Sequence, residues 1–167
     1  MLQTSFKSKV KGFTLLELLI VLAILSILIV TSMFVTYGFF IRTQVDNTVL
    51  ILVETLRRAQ TISRNTLEDS AWGLKINADN LVLFKANDGD GDGNPDSFSQ
   101  TSTRDVSFDK QYDLPGEVQI DDTGQIEIIF NKLTGEPRIG GTLTIQINST
   151  SSYSRQIKIN PIGTIDY

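Results

Sequence analysis

Two groupings of side chains in this 167-residue chain could do chemistry, and both are built from carboxylates. The first is a single residue, Glu17, at the head of a run that carries no charge from residue 18 to residue 41. A lone acid at the margin of such a run costs about 2–3 kcal/mol to place in a membrane. It calls for a cationic partner, and the next basic side chain along the run is Arg42. The partner is therefore expected on another molecule. The second grouping is Asp88-Gly89-Asp90-Gly91-Asp92-Gly93-Asn94-Pro95-Asp96, in which oxygen donors alternate with glycine. Against a calcium-loop template, Asp88, Asp90 and Asp92 take positions 1, 3 and 5 and Gly93 falls at the sharp turn. Asn94 can offer a carbonyl there, and Asp96 takes position 9. Position 12 is Ser99 in place of the bidentate Glu, and Asp105 and Asp109 are candidates to supply what is lost. The chemistry would be coordination of a structural Ca2+, because a cage of many protein ligands suits calcium better than magnesium. A solvated Asp/Gly loop is the alternative.

The chain has no cysteine and no histidine, which excludes disulfides, Cys/His zinc sites and every triad that needs a histidine base. No arrangement of the remaining residues points to catalysis, and the chain reads as a non-enzyme.

The element that must position Glu17 is the uncharged run itself. Its 24 residues, if helical, span roughly 36 Å, enough to cross a bilayer. Lys7, Lys9 and Lys11 are the only charges before Phe13, and they favour a cytoplasmic N-terminus. Three readings compete for residues 1–41. A secretory signal peptide needs a shorter apolar core and a small-residue cleavage site after it, and Thr31-Ser32-Met33-Phe34 supplies none. A plain anchor explains the lysines and the length but not Glu17. The third reading is a processing site ahead of the apolar run, which then stays on the mature protein. Net charge is −4; without residues 1–12 there remain 12 basic against 19 acidic groups, a net of −7. No nucleic-acid partner is expected of so acidic a body.

Beyond Arg42 the pattern turns amphipathic: Val45, Val49, Leu52, Val53, Leu56 and Ala59 recur at helical spacing, and Asn65 is the expected stop. This half of the helix should lay its apolar stripe on a sheet. After Thr66 short alternating segments follow. Residues 72–76 and 81–85 read as a hairpin, 117–121 and 125–130 as strands joined by Asp122-Thr123-Gly124, and 142–148, 155–160 and 164–167 as further strands. About seven antiparallel strands packed on one helix make an α+β domain.

The segment Lys11-Gly12-Phe13-Thr14-Leu15-Leu16-Glu17-Leu18-Leu19-Ile20-Val21 resembles the prepilin signature of type IV pilins and type II secretion pseudopilins. The resemblance implies a pilin-like fold, in which a long N-terminal hydrophobic helix packs on an antiparallel β-sheet domain. It implies cleavage between Gly12 and Phe13 by a prepilin peptidase, N-methylation of Phe13, and neutralisation of a neighbour's terminal amine by Glu17 during assembly. The chain then divides into a leader (1–12), a transmembrane and assembly half of the helix (13–41), an amphipathic half (42–65) and a β-rich domain (66–167). Its implied partners are other pilin or pseudopilin subunits, the peptidase, a secretion or pilus assembly machine, and the membrane. Its implied location is the bacterial inner membrane, crossed once, with the C-terminal domain outside the cytoplasm. Weaker cues are similar to H-type minor pseudopilins: Arg58-Ala59-Gln60, Trp72-Gly73, Ile129-Phe130 ahead of Gly135, and a closing strand with Pro161 and Gly163. The rival is a membrane-anchored calcium-binding or adhesive surface module that does not polymerise.

Overall fold

No proline or glycine interrupts the chain from Phe13 to Tyr37, and the backbone forms one helix, α1, Leu15–Arg64. The structure is a computed structural model that describes residues 12–86, 88, 94–100, 102, 105–121, 126–149 and 153–167. The chain divides into two compact units, Met1–Gly38 and Phe39–Tyr167.

In the first unit the described apolar side chains of α1 are exposed, from Leu15 and Leu16 through Ile29 and Val30. This stretch is long and apolar enough to cross a membrane. Three of its hydroxyls bond to helix carbonyls, among them Ser26 Oγ to Leu22 (2.7 Å) and Thr36 Oγ1 to Ser32 (2.8 Å). They therefore impose no unpaired polar group on an apolar surrounding.

In the second unit α1 buries Ile41, Val45, Val49, Leu52, Val53, Leu56 and Ala59 as one stripe. Thr48 and Thr55 are buried in it, and each returns its hydroxyl proton to the carbonyl four residues earlier. The helix ends where Thr66 takes a left-handed φ of 53°, one residue past Asn65, the expected stop.

The stripe lies on two antiparallel sheets rather than one. Sheet A has the order β3-β2-β1-β5, with β1 at Ala71–Ile76, β2 at Asn80–Ala86, β3 at Lys110–Asp113 and β5 at Ile126–Phe130. Sheet B has the order β4-β6-β7-β8, with β4 at Val118–Ile120, β6 at Leu143–Ser149, β7 at Ser154–Ile159 and β8 at Ile165–Asp166. The β1–β2 hairpin forms in the expected register, Ile76 opposite Leu81. The two strands expected on either side of Asp122-Thr123-Gly124 do not pair with each other. β4 pairs with β6, Val118 opposite Ser149, while β5 pairs with β1, Phe130 opposite Trp72. The reason lies in β1, which is buried along its whole length and needs a partner on both edges. β3 has no counterpart among the expected strands.

One core fills the space between α1 and the two sheets, with Leu74, Ile76, Ile128, Phe130, Ile145 and Ile157 fully buried in it. A smaller cluster of Ala71, Phe84 and Ala86 is covered by Phe98 and Ile129. Gly73 makes it possible: a Cβ there would stand 2.5 Å from the Phe84 ring. The Phe98 ring meets that of Phe84 edge to face at 5.4 Å.

Candidate functional site

Gly12 and Phe13 lie ahead of the helix, outside regular structure, and Phe13 is 83% exposed. Thr14 is the residue that starts α1. Its carbonyl accepts the Leu18 N–H (3.2 Å), and its hydroxyl oxygen accepts the Glu17 N–H (3.2 Å). This is the N-cap geometry, which satisfies one of the four donors that a helix start leaves open. Glu17 stands three residues on, in the first turn, where its negative charge also suits the positive end of the helix. The Thr-x-x-Glu spacing was readable in the sequence as a capping signature. Gly12 and Phe13, the scissile position of the sequence reading, are thus exposed ahead of a capped helix start and an exposed apolar helix.

The acidic loop is seated at its C-terminal end. Asp96 is 1% exposed, the Phe98 N–H donates to Glu127 Oε1 (2.8 Å), and the Phe98 ring closes the smaller cluster. Asn94 Oδ1 accepts from Arg138 Nη2 (3.1 Å). Asp88 is exposed at the other end of the loop. Asp90 and Asp92 lie outside the described residues, and among the described residues no group of three potential acidic ligands converges.

Asp105, a candidate for the missing bidentate ligand, has another role. Its Oδ1 caps the short helical turn Val106–Phe108 by accepting from the N–H and hydroxyl of Ser107 (3.0 and 2.6 Å). Those bonds hold its pKa below the usual aspartate value. Asp109 follows the same turn at its C-terminal end. Beside the loop, a cleft of about 210 Å³ is lined by Asp88, Asn94, Asp69 and Lys132. Lys132 forms an ion pair with Asp69, and the hydrogen bond and charge together lower the Asp69 pKa.

The scattered cues of the second resemblance converge on the end of α1. Gln60 Nε2 donates to the carbonyls of Gly135 (3.0 Å) and Gly163 (3.2 Å). Both glycines have left-handed φ, 67° and 87°, and a Cβ on Gly163 would stand 2.3 Å from Gln60 Nε2. One turn on, Ser63 Oγ accepts the Trp72 N–H (2.9 Å), and Trp72 Nε1 donates to the Leu67 carbonyl (3.1 Å). This cluster ties the helix to the sheets.

A capped helix start, an exposed apolar stretch long enough to cross a membrane and a two-sheet domain packed on the helix's second half define an α+β protein. A family model described as the prokaryotic N-terminal methylation motif matches residues 7–33, which contain Lys7, Gly12, Phe13, Thr14 and Glu17. No curated protein and no solved structure matches the chain. The chain carries a prepilin-type N-terminus, which supports its relation to type IV pilins and pseudopilins and a structural role rather than an enzymatic one.

Proposed function

We propose that this protein is a filament subunit, a pilin or minor pseudopilin of a type IV pilus or type II secretion pseudopilus. The carrying observation is the methylation motif over residues 7–33 placed at the start of an exposed apolar helix. In this reading a prepilin peptidase cuts between Gly12 and Phe13, and Phe13 becomes the methylated terminus. The helix holds the subunit in the bacterial inner membrane with the β-domain outside the cytoplasm. Glu17 then meets the terminal amine of a neighbouring subunit, because burying an ammonium and a carboxylate together is far less costly than burying either alone. The work of the subunit is mechanical, driven by the assembly machine that polymerises it. The H-type minor pseudopilins are the subgroup we favour, supported by the convergence of Gln60, Trp72, Gly135 and Gly163 at the helix end.

Within this subunit we propose that the acidic loop holds a structural Ca2+ through Asp88, Asp90, Asp92, the Asn94 carbonyl and Asp96. Support comes from the donor spacing and from a carboxylate, Asp96, set inside the fold at the loop's anchored end.

The test of the main reading is mass spectrometry of the N-terminal peptide from protein extracted from its native membrane. A peptide beginning at methylated Phe13 is expected. An intact Met1 start in cells with an active prepilin peptidase would reduce the chain to an ordinary anchored domain.

A further inference from the structure

The second unit of the chain opens with two rings that its core does not use. Phe39 and Phe40 are 72% and 53% exposed, whereas the next residue, Ile41, is fully buried. The sheets therefore take hold of α1 at Ile41, and neither phenylalanine joins either core cluster. Both rings fall at the end of the uncharged run that stops at residue 41. Aromatic side chains collect where such a run leaves a bilayer, because their rings sit well at headgroup depth.

Arg42 is the first charge beyond that run, and it is exposed. It stands three residues after Phe39, so the two side chains share one flank of the helix. Its guanidinium lies over the Tyr153 ring at 5.6 Å. Tyr153 belongs to the connection between β6 and β7, so sheet B folds one of its ends back onto the start of the unit. The Tyr153 hydroxyl donates to Asp46 Oδ1 (3.2 Å), which fixes the ring beside the helix.

The charges around this corner leave Arg42 as its uncompensated cation. Arg155 also lies over the Tyr153 ring (5.7 Å), but it is paired with Asp46 (3.0 Å). Of the carboxylates on neighbouring elements, Glu117 precedes β4 and has contacts of its own. Asp79 and Asp113 of sheet A accept from the side-chain amides of Asn80 and Gln111. Among the described residues no carboxylate pairs with Arg42.

A guanidinium steadied on a ring is a two-pronged donor well matched to a phosphate. The phosphate is a lipid's, because Arg42 and Phe39 directly continue a stretch long and apolar enough to cross a membrane. We propose that Arg42, braced by Tyr153, binds the phosphate of a membrane lipid, so that the β6–β7 end of the domain rests on the headgroup layer. This contact rests on the membrane placement in the proposed function and not on polymerisation.

The chain has no cysteine, so single introduced thiols can carry a fluorophore. Ser154→Cys places one at the start of β7. Leu133→Cys places one where the main-chain N–H bonds to the Ser63 carbonyl. From residue 42 to residue 63 a helix rises roughly 32 Å, so the two probes report on opposite ends of the packed half of α1. Full-length chains, one per phospholipid nanodisc, are exposed to a lipid bearing a nitroxide on its headgroup. Quenching is expected at residue 154 and not at residue 133. Arg42→Gln should lower the quenching at 154 about two- to fivefold, the effect of losing one exposed ionic contact. Arg42→Lys keeps the charge without the fork and should restore only part of it. Phe39→Ser, which leaves Arg42 on Tyr153, should lower it as well. Equal quenching at both sites, none at 154, or no change in Arg42→Gln overturns the proposal. Shielding of the 154 probe from a water-soluble quencher only when two copies share a disc would assign the surface to a second copy instead. The two readings fail separately: methylated Phe13 without quenching at 154 sinks only the headgroup contact, and quenching with an uncut native N-terminus sinks only the filament.

Discussion

Glu17 serves the helix with its backbone and leaves its carboxylate for something else. The bond from its N–H to Thr14 Oγ1 involves no atom of its side chain. Glu17→Val should therefore keep the capped start and insert into the membrane as before, while incorporation into filaments with unmodified subunits falls sharply. Co-expression followed by shearing and immunoblotting reads both quantities, and normal incorporation would count against the pairing with a neighbour's amine. Thr14→Ala is the converse, removing a cap that contributes about 1 kcal/mol and leaving the charge in place. At Asp69 the partner is Lys132, and the carboxyl titrates below its ordinary value of 3.8. A depressed aspartate contributes stability above its unfolded pKa and loses it as pH falls through the folded one. The ion pair should thus hold at neutral pH and dissolve only below the usual aspartate range. Carboxyl chemical shifts followed through an acid titration check this, and Lys132→Met should bring Asp69 back toward 3.8.

Among the elements, α1 was legible because one physical demand shaped each half. After Glu17 the first half carries no charge, and the second repeats Val45, Val49, Leu52, Leu56 and Ala59 with the period of a helix face. Leu56 sits in the middle of that stripe, fully buried. Leu56→Ala should cost about 2–5 kcal/mol in denaturant unfolding, the range for truncating a buried leucine. A loss below 1 kcal/mol would mean that the helix packs on the sheets more loosely than its burial indicates. β1 and β2 were legible as a hairpin because local turn residues join two alternating runs. β3 was not, because Lys110-Gln111-Tyr112-Asp113 is an edge strand with little buried surface and hence no alternation of apolar residues to announce it. The assignment of β4 and β5 to different sheets was also hidden, since pairing Phe130 with Trp72 is a long-range choice that no window of sequence records. The motif over residues 7–33 could be read directly, because register relative to an apolar run is a one-dimensional signal. The Gln60 cluster could only be listed as separate residues, because what unites them is space.

For the molecule as a whole, the distribution of charge separates the first 12 residues from the rest. Three lysines precede Phe13, and the acidic excess lies after it, with the densest carboxylates in residues 88–96. Calcium bound to that loop would tie Asp90 and Asp92 to the end already fixed by Asp96 and Phe98. Calcium should then raise the melting temperature of the full chain in micelles, and Asp90→Ala combined with Asp92→Ala should abolish the rise. A melting curve of the unmutated protein that ignores calcium would return the loop to a solvated Asp/Gly segment.

The double bond made by Gln60 also sets an order in time. Its second acceptor, the Gly163 carbonyl, lies 103 residues later in the chain. During synthesis the apolar helix leaves the ribosome first and can enter the membrane long before that acceptor exists. The end of α1 is locked only when almost the last residue has arrived. A chain stopped before Gly163 would keep the apolar helix but leave Gln60 without its second acceptor, so the end of α1 would be held less firmly to the sheets.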